Sequence, residues 1–351
     1  MTELGLGQVA ALITPVSGGF LHRMYKVETD VGVYAVKHLN PEIMKRPSVM
    51  ENYSRAELLE KKIEAAGIPI VPSLERNGKK MQMCGDDFFY IFCWLDGRIT
   101  DWDNITPEQC EEAGRIQGKI HAIEPKEIPH AEPSGSEIDW ASYTKDAESK
   151  KSAIADILRE NEDLLIYATE SMNDARRALP DIECITDEDM DPKNVMWKDG
   201  NPYVIDLECL DYGNPANSAL QLALQWAGVT TCSLDFRKMD AFFEGYREAW
   251  DGLPGNADGE EDTSGHSAFD AYEEIFGVAY TWVEWLEYNV IRALGQCQDD
   301  EDRKLGESEV RNTIERIRYI YEREDEIKAH LFKLCDVSKS TAYSRFDVDD
   351  S

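Results

Sequence analysis

Three polar side chains near the middle of the sequence have the types and spacing that phosphoryl transfer requires. Asp189 lies in a polar loop, Asn194 follows five positions later, and Asp206 comes twelve positions after Asn194. A carboxylate can accept or orient an attacking hydroxyl, while an amide oxygen and a second carboxylate can hold Mg²⁺. A solvated acidic turn is the competing interpretation. Against it, Asp206 interrupts the apolar run 204–207, where a carboxylate is costly to bury unless it is paired or binds metal.

A β-hairpin is predicted to bring these three side chains together. Apolar runs at 195–197 and 203–205 flank a turn at 198–202 that is rich in Asp, Gly, Asn and Pro. A hairpin of this length places all three polar groups at one end. We therefore expect Asp189 to be the catalytic group and Asn194 with Asp206 to be the metal ligands.

The same stretch resembles a known family. Residues 189–195, with the sequence DMDPKNV, and the later Ile205-Asp206 pair resemble the catalytic loop and metal-binding aspartate of the aminoglycoside phosphotransferase and choline kinase family. Members are small-molecule kinases with a protein-kinase-like fold. Two positions before the catalytic aspartate the family motif usually has His, and this chain has Asp187. That departure leaves open a non-catalytic, kinase-like nucleotide-binding protein as the alternative function.

The resemblance implies an α+β, bilobal protein-kinase-like fold, in which a small antiparallel β-sheet lobe with one helix precedes a larger, mostly helical lobe. We assign 1–95 to the nucleotide-binding lobe, 96–337 to the catalytic and substrate-binding lobe, and 338–351 to a disordered tail. The patterning adds expected elements, which are strands at 10–16, 23–29, 33–39, 70–74 and 88–95, helices at 50–66, 106–123, 140–179, 214–226, 239–250, 269–294 and 306–334, and a mobile segment at 252–265.

Lys37 is the predicted phosphate-binding lysine. It ends the apolar run 33–37, whose Ala-x-Lys ending is typical of the kinase strand lysine that contacts nucleotide phosphates. An ordinary edge-strand lysine would give the same local pattern. By resemblance, a helix glutamate pairs with this lysine; we assign that role to Glu57, with Glu60 one turn later as the second choice.

Two further segments are predicted to contact the nucleotide, which is ATP or GTP with Mg²⁺. Ser17, Gly18 and Gly19 form a turn where the backbone can approach phosphates closely, although most such turns only connect strands. The strand at 88–95 ends where the family has its linker between lobes. On that basis Phe92, Cys93 and Trp94 are the expected neighbours of the base.

An acidic, aromatic helix is the predicted contact for a cationic acceptor such as an aminoglycoside, amino sugar or amino alcohol. Carboxylates and aromatic faces suit an ammonium group, and the family's amine-bearing substrates are bound by acidic residues of C-terminal helices. A core helix with an exposed acidic side is the alternative. On this helix the candidate acceptor residues are Trp282, Glu284, Trp285, Glu287 and Tyr288. Glu208, which follows the predicted hairpin, is a further candidate.

The net charge of the chain limits the classes of partner that it is expected to bind. A net charge of −32 with a pI near 4.5 disfavours nucleic acid and anionic membranes and favours cationic partners, or reflects a generally acidic proteome. Eight scattered cysteines without zinc spacing, and no signal-peptide or membrane-span pattern, predict a cytoplasmic protein.

The short distance from Asp206 to the predicted helix at 214 leaves no room for an activation loop, which favours a small-molecule acceptor over a protein one.

Overall fold

The computed structural model describes residues 1–16, 22–129, 135–250, 275–297 and 299–344, with side chains as far as 334. The chain divides into two compact units. The first contains Met1–Asp101 and Asp187–Asp211, and the second contains Trp102–Thr186 and Tyr212–Ser351. The first unit carries most of the β-structure and the second is mostly helical, as the predicted α+β class requires. None of the helices among the described residues is long and apolar enough to span a bilayer.

The elements follow in chain order. The strands are β1 Thr14–Val16, β2 Arg23–Glu28, β3 Val33–His38, β4 Gln82–Cys84, β5 Asp87–Cys93, β6 Arg98–Ile99, β7 Lys126–Glu127, β8 Ile182–Asp187, β9 Val195–Lys198, β10 Asn201–Val204 and β11 Leu210–Gly213. The helices are α1 Val49–Ala65, α2 Pro107–His121, α3 Trp140–Ser149, α4 Ala155–Ala178, α5 Pro215–Trp226, α6 Phe236–Ala249, α7 Trp282–Ala293, α8 Asp300–Glu322 and α9 Glu324–Ser344.

A five-stranded sheet in the order β1-β2-β3-β5-β4 forms the body of the first unit, and every neighbouring pair is antiparallel. The strands predicted at 10–16, 23–29 and 33–39 are confirmed as β1, β2 and β3, which pair in chain order as an antiparallel meander. Helix α1 packs on this sheet through an apolar core that includes Leu39, Val49, Tyr53 and Tyr90. This sheet and helix bury Lys37 on β3, where the residue is only 5% exposed.

The predicted hairpin is also confirmed. β9 pairs with β10, with Val195 opposite Val204, and both side chains are fully buried. The two-residue turn Asp199-Gly200 has positive φ at both positions, which is the geometry that matches the twist of a tight hairpin. The hairpin packs onto the chain that follows α1, since Val71 N donates to Val204 O and Val204 N donates to Pro69 O.

The predicted strand at 70–74 is wrong. Its residues make only isolated bridges, from Ile70 to Val204 and from Ser73 to Phe92. Pro72 lies between the two bridges, and proline has no N–H with which to continue a ladder.

The second unit contains the predicted helices with changed boundaries. α2 begins with the expected cap, in which Thr106 accepts from Gln109 N and Pro107 takes the first position. The segment 140–179 forms two helices, α3 and α4. At the end of the chain, the helix predicted over 306–334 is divided between α8 and α9.

Two predictions near the ends of helices need correction. The tail expected to be disordered from Ser338 is helical as far as Ser344, because α9 continues through it. Of the helix predicted at 269–294, the described part is a 3₁₀ turn at Phe276–Tyr280 followed by α7. The segment expected to be mobile at 252–265 lies outside the described residues.

Candidate active site

Lys37 lies at the centre of a buried ion cluster within the first unit. Its Nζ is 2.5 Å from Asp206 Oδ1 and 2.7 Å from Glu208 Oε1. Burial alone would lower the pKa of Lys37, but Asp206 and Glu208 outweigh it and hold the pKa above its ordinary value. The lysine is therefore a fixed cation between two carboxylates that lie 169 and 171 positions later in the chain.

Glu208 is held from its other side by His22. Asn40 N donates to Nδ1 of His22 at 3.0 Å, so Nε2 carries the proton and donates to Glu208 Oε1 at 2.8 Å. Burial would raise the pKa of Glu208, yet Lys37 and His22 lower it to about 2. Glu208 was predicted to contact the acceptor; the structure instead engages it with Lys37 and His22.

The predicted ion pair between Lys37 and Glu57 is not formed. Glu57 Oε1 accepts from the Tyr90 hydroxyl at 2.9 Å and from Met81 N at 3.2 Å, so its carboxylate is satisfied elsewhere. The second choice, Glu60, pairs with Lys80 at 2.9 Å. Both glutamates still line the same small cavity as Lys37, Asp206 and Glu208.

The loop at 189–194, predicted to be catalytic, is held by its own polar groups. Asn194 Nδ2 donates to Asp189 Oδ2 at 2.9 Å and to the Asp189 carbonyl at 2.8 Å. Asp191 begins the 3₁₀ turn Pro192–Asn194 and accepts from Lys193 N at 3.0 Å. Ile205 N donates to Asn194 O at 2.9 Å and so links the loop to the residue before Asp206.

Asp187, at the position of the family's histidine, is buried. It is 1% exposed; its Oδ1 accepts from Asp189 N at 3.3 Å, while Oδ2 has no hydrogen-bond partner among the described residues. Burial, followed by the nearby Asp189 carboxylate, raises the pKa of Asp187 well above its usual range. Burial therefore favours the neutral form of this acid, and its Oδ1 supports the loop through the backbone N–H of Asp189.

Asn194 and Asp206 together supply the oxygen ligands that Mg²⁺ prefers. The Asn194 amide nitrogen is directed at Asp189, which leaves its amide oxygen for a cation, and Asp206 supplies a carboxylate. Asp206 has a left-handed backbone with φ 63° and ψ 55°, a conformation that costs a non-glycine residue free energy and is concentrated at functional sites. In the described part of the chain, no three His, Cys, Asp or Glu side chains are close enough together to hold a metal ion by themselves. Mg²⁺ does not need one, since water and phosphates complete its coordination.

The predicted nucleotide contacts stay predictions. Ser17, Gly18 and Gly19 lie outside the described residues. Phe92 lines the cavity beside Lys37, Cys93 is exposed at the end of β5, and Trp94 N donates to Val33 O at 3.0 Å.

The acidic aromatic helix of the second unit, α7, uses its charges internally. Glu284 is paired with Arg176 through two hydrogen bonds of 2.7 and 2.8 Å. Glu287 accepts from the Tyr143 hydroxyl at 2.8 Å. The aromatic residues are likewise engaged, with Arg316 over Trp282 and Trp285 stacked on Tyr288. The structure therefore favours the packing interpretation for Glu284, whose carboxylate is neutralised by Arg176.

Sequence reasoning missed two side chains of the first unit's cluster, His22 and Lys193. Lys193 Nζ lies 2.8 Å from Asp189 Oδ1 and 2.7 Å from Asp191 Oδ2. Its position inside the DMDPKN motif, two and four residues after acidic side chains, was the available signal. His22 offered no comparable signal, because its partner Glu208 is distant in sequence.

Comparisons with known proteins agree with this geometry. The sequence pattern of the phosphotransferase enzyme family, APH, matches residues 12–255. No curated protein sequence is a significant match.

Solved structures share the fold at low sequence identity. A spectinomycin phosphotransferase in complex with ADP and spectinomycin has a TM-score of 0.59 at 12% identity, over 89% of this chain and 93% of that one. A microcompartment-associated aminopropanol kinase has a TM-score of 0.53 at 14% identity, over 93% and 97% of the two chains. An ethanolamine kinase from Plasmodium vivax has a TM-score of 0.52 at 16% identity, over 86% and 81%. The kinase-like fold is thereby confirmed, and the extent of the family match shows that the chain belongs to the APH phosphotransferase enzyme family.

Proposed function

We propose that this protein is a small-molecule kinase that transfers the γ-phosphoryl group of ATP or GTP to a hydroxyl of a cationic acceptor. The observation that carries the proposal is that one compact unit holds two polar pairs, Lys37 with Asp206 at 2.5 Å and Asn194 with Asp189 at 2.9 Å. The backbone bond from Ile205 N to Asn194 O connects the segments that carry them. Phosphotransferase chemistry of this family requires a phosphate-binding cation, a group that orients the hydroxyl, and oxygen ligands for a divalent metal.

Lys37 binds the nucleotide phosphates in this proposal. Its carboxylate partners hold the ammonium in one place, so an incoming triphosphate meets a preorganised cation. Glu208 takes the orienting role that the sequence assigned to Glu57. The sequence-based assignments of Ser17, Gly18 and Gly19 to the phosphates and of Phe92, Cys93 and Trp94 to the base remain part of this proposal. Structures of relatives that hold ADP or AMP-PNP support a nucleotide as donor.

Asn194 and Asp206 would hold Mg²⁺, which when bound neutralises charge on the transferred phosphoryl group. Asp189 accepts a hydrogen bond from the acceptor hydroxyl and aligns it for in-line attack. Because the transition state of phosphoryl transfer is loose, a strong base is not required, and most of the acceleration comes from position and charge. The contacts that fix the Asp189 carboxylate therefore matter for rate.

The acceptor class rests on charge and on relatives. A net charge of −32 attracts cations, and similar structures are described as kinases of spectinomycin, ethanolamine and aminopropanol. Glu287, Trp285, Tyr288 and Trp282 are the acceptor contacts we retain. The reaction is placed in the cytoplasm, where nucleoside triphosphates are supplied.

A non-catalytic nucleotide-binding role is the second candidate. The buried acid at Asp187, in place of the usual histidine, is the observation that favours it. Against it, Lys37, Asn194 and Asp206 are all retained, and a degraded kinase commonly loses one of them.

The test is nucleotide consumption with Mg²⁺ across a panel of aminoglycosides, amino alcohols and amino sugars. We expect turnover with at least one member and its loss in Asp189→Asn, with nucleotide binding retained. Nucleotide binding without turnover on any hydroxyl acceptor would favour the non-catalytic role, and the absence of both would reject the kinase proposal.

A further inference from the structure

Lys193 makes two contacts that no part of the proposed reaction has used so far. Its Nζ lies 2.8 Å from Asp189 Oδ1 and 2.7 Å from Asp191 Oδ2, so one ammonium bridges two carboxylates of the loop at 189–194. The side chain of Lys193 is 32% exposed and that of Asp191 is 9% exposed. The lysine is therefore anchored on a buried acid and reaches from it to Asp189.

The anchor is itself held by hydrogen bonds within the loop. Asp191 accepts from Lys193 N at 3.0 Å through its other oxygen, and its carbonyl accepts from Asn194 N at 2.9 Å. The neighbouring Met190 and Val195 are fully buried and fix the loop on both sides. An ammonium held by such an anchor has little freedom, unlike a surface lysine that pairs only with another flexible side chain.

Both oxygens of Asp189 are held in this arrangement. Lys193 holds Oδ1, and Asn194 Nδ2 holds Oδ2 at 2.9 Å. Without the lysine, one hydrogen bond would remain, and the negative charges of Asp191 and Asp206 would repel the carboxylate. A carboxylate whose oxygens each accept from a fixed donor keeps one orientation, and each oxygen still has a lone pair for an acceptor hydroxyl.

We propose that Lys193 is a positioning residue that, anchored on Asp191, fixes the orientation of the Asp189 carboxylate, which in turn aligns the acceptor hydroxyl for attack on the γ-phosphoryl group. The inference rests on the proposed kinase function for its kinetic consequence, while its structural consequence stands apart from it. Positioning in near-attack geometry is worth large factors in rate, and a displacement of about 1 Å can cost on the order of 100-fold.

The kinetic test compares Lys193→Met and Lys193→Arg with wild type and with Lys198→Met. Lys198 is an exposed lysine at the end of β9, five residues after Lys193, so it controls for loss of one positive charge. We expect Lys193→Met to lower kcat roughly 10- to 100-fold with the nucleotide KM within about twofold. Lys193→Arg, which can still bridge two carboxylates, should restore kcat to within about tenfold of wild type. Lys198→Met should leave both parameters unchanged.

Two kinetic results would overturn the proposal. An unchanged kcat in Lys193→Met would show that the contact is only structural. A raised nucleotide KM with unchanged kcat would show that Lys193 binds the nucleotide instead of positioning Asp189. If Lys193→Met does not fold, as measured by thermal unfolding, Lys193→Gln replaces it.

Crystal structures can test the positioning role of Lys193 independently of the proposed kinase function. Crystal structures of wild type and Lys193→Met should show Asp189 in the orientation described here only in wild type. If wild type has no kinase activity, the function fails, and the Asp189 orientation in these crystals alone decides the positioning role. An Asp189 carboxylate that keeps its place in Lys193→Met overturns the inference whatever the activity.

Discussion

The partner of Lys37 is the residue-scale feature with the clearest functional consequence. Lys37 pairs with Asp206 and Glu208, while Glu57 bonds to Tyr90. If Glu208 orients the lysine, its loss leaves Lys37 with Asp206 as its ion-pair partner among the described residues and draws the ammonium toward the proposed metal site. We expect Glu208→Gln to lower kcat/KM for the nucleotide about tenfold or more, the range for losing one charged hydrogen bond. Glu57→Gln should stay within about threefold of wild type.

The comparison of these two variants is internally controlled, since each exchanges one carboxylate of the same cavity for an amide. Removing a negative charge could also favour an anionic nucleotide, so binding and turnover should be measured separately. A larger loss for Glu57→Gln than for Glu208→Gln would restore the pairing expected from sequence and contradict the assignment to Glu208.

Asp187 gives a second residue-scale prediction. Burial raises the pKa of Asp187 well above its usual range and so favours the neutral form over the charged one. Asp187→Asn is uncharged and keeps the shape and the oxygen that accepts from Asp189 N. We therefore expect turnover within about threefold of wild type, whereas Asp187→Ala loses that acceptor and destabilises the loop by about 1–3 kcal/mol. Steady-state kinetics and thermal unfolding test both variants, and a hundredfold loss in Asp187→Asn would show that an ionised carboxylate is needed.

At the scale of elements, the helices α2 and α6 approach each other closely. A Cβ at Gly114 would meet Phe242 O at 1.9 Å, and a Cβ at Gly245 would meet Glu111 O at 1.9 Å. This close packing encloses a polar group, His121, which is 0% exposed. Its Nε2 lies 2.6 Å from the Gln117 amide nitrogen and its Nδ1 lies 2.7 Å from the Tyr246 hydroxyl. The imidazole is therefore neutral, with the proton on Nδ1.

This buried imidazole predicts how stability depends on pH. Burial lowers the pKa of His121 from 6.5 to about 3, so the unfolded chain takes up a proton at higher pH than the fold does. Its contribution is full above pH 6.5 and is lost as the pH falls toward 3, by about 2 kcal/mol at pH 5. His121→Gln should be less stable at pH 7 and should lose less additional stability between pH 7 and pH 5. Parallel pH profiles from chemical denaturation would contradict the assignment.

Local patterns were sufficient to predict some elements and insufficient for others. The β9–β10 hairpin and the α2 start were predictable because an Asp-Gly turn and a Thr-Pro cap act within a few residues. The strand expected at 70–74 was wrong because the prediction rested on apolar content and ignored that Pro72 has no N–H to donate to a neighbouring strand. The division of 306–334 into two helices was not visible, since the residues on both sides of Arg323 favour helix.

For the whole molecule, sequence reasoning identified the family and the polar groups of the loop but not all of their contacts. Lys37, Asp189, Asn194 and Asp206 could be predicted because motif spacing limits where such side chains lie. The pairing of Lys37 with Glu208 could not, because the two are 171 positions apart and only folding decides which carboxylate arrives. The proposed acceptor contacts could not be sorted from sequence for the same reason. Arg176, which neutralises Glu284, lies on a different helix, and only the fold brings the two together.

The central claim is that this chain transfers a phosphoryl group to a small-molecule hydroxyl. The most direct measurement follows γ-labelled ATP or GTP with Mg²⁺ and a pool of cationic hydroxyl acceptors, and identifies the labelled product by chromatography and mass spectrometry. The account predicts label on an acceptor with wild type, at least about 100-fold less with Asp189→Asn, and unimpaired nucleotide binding in that variant. Label transfer that survives Asp189→Asn would contradict the assigned catalytic loop. Bound nucleotide with no label on any hydroxyl would contradict the kinase function itself.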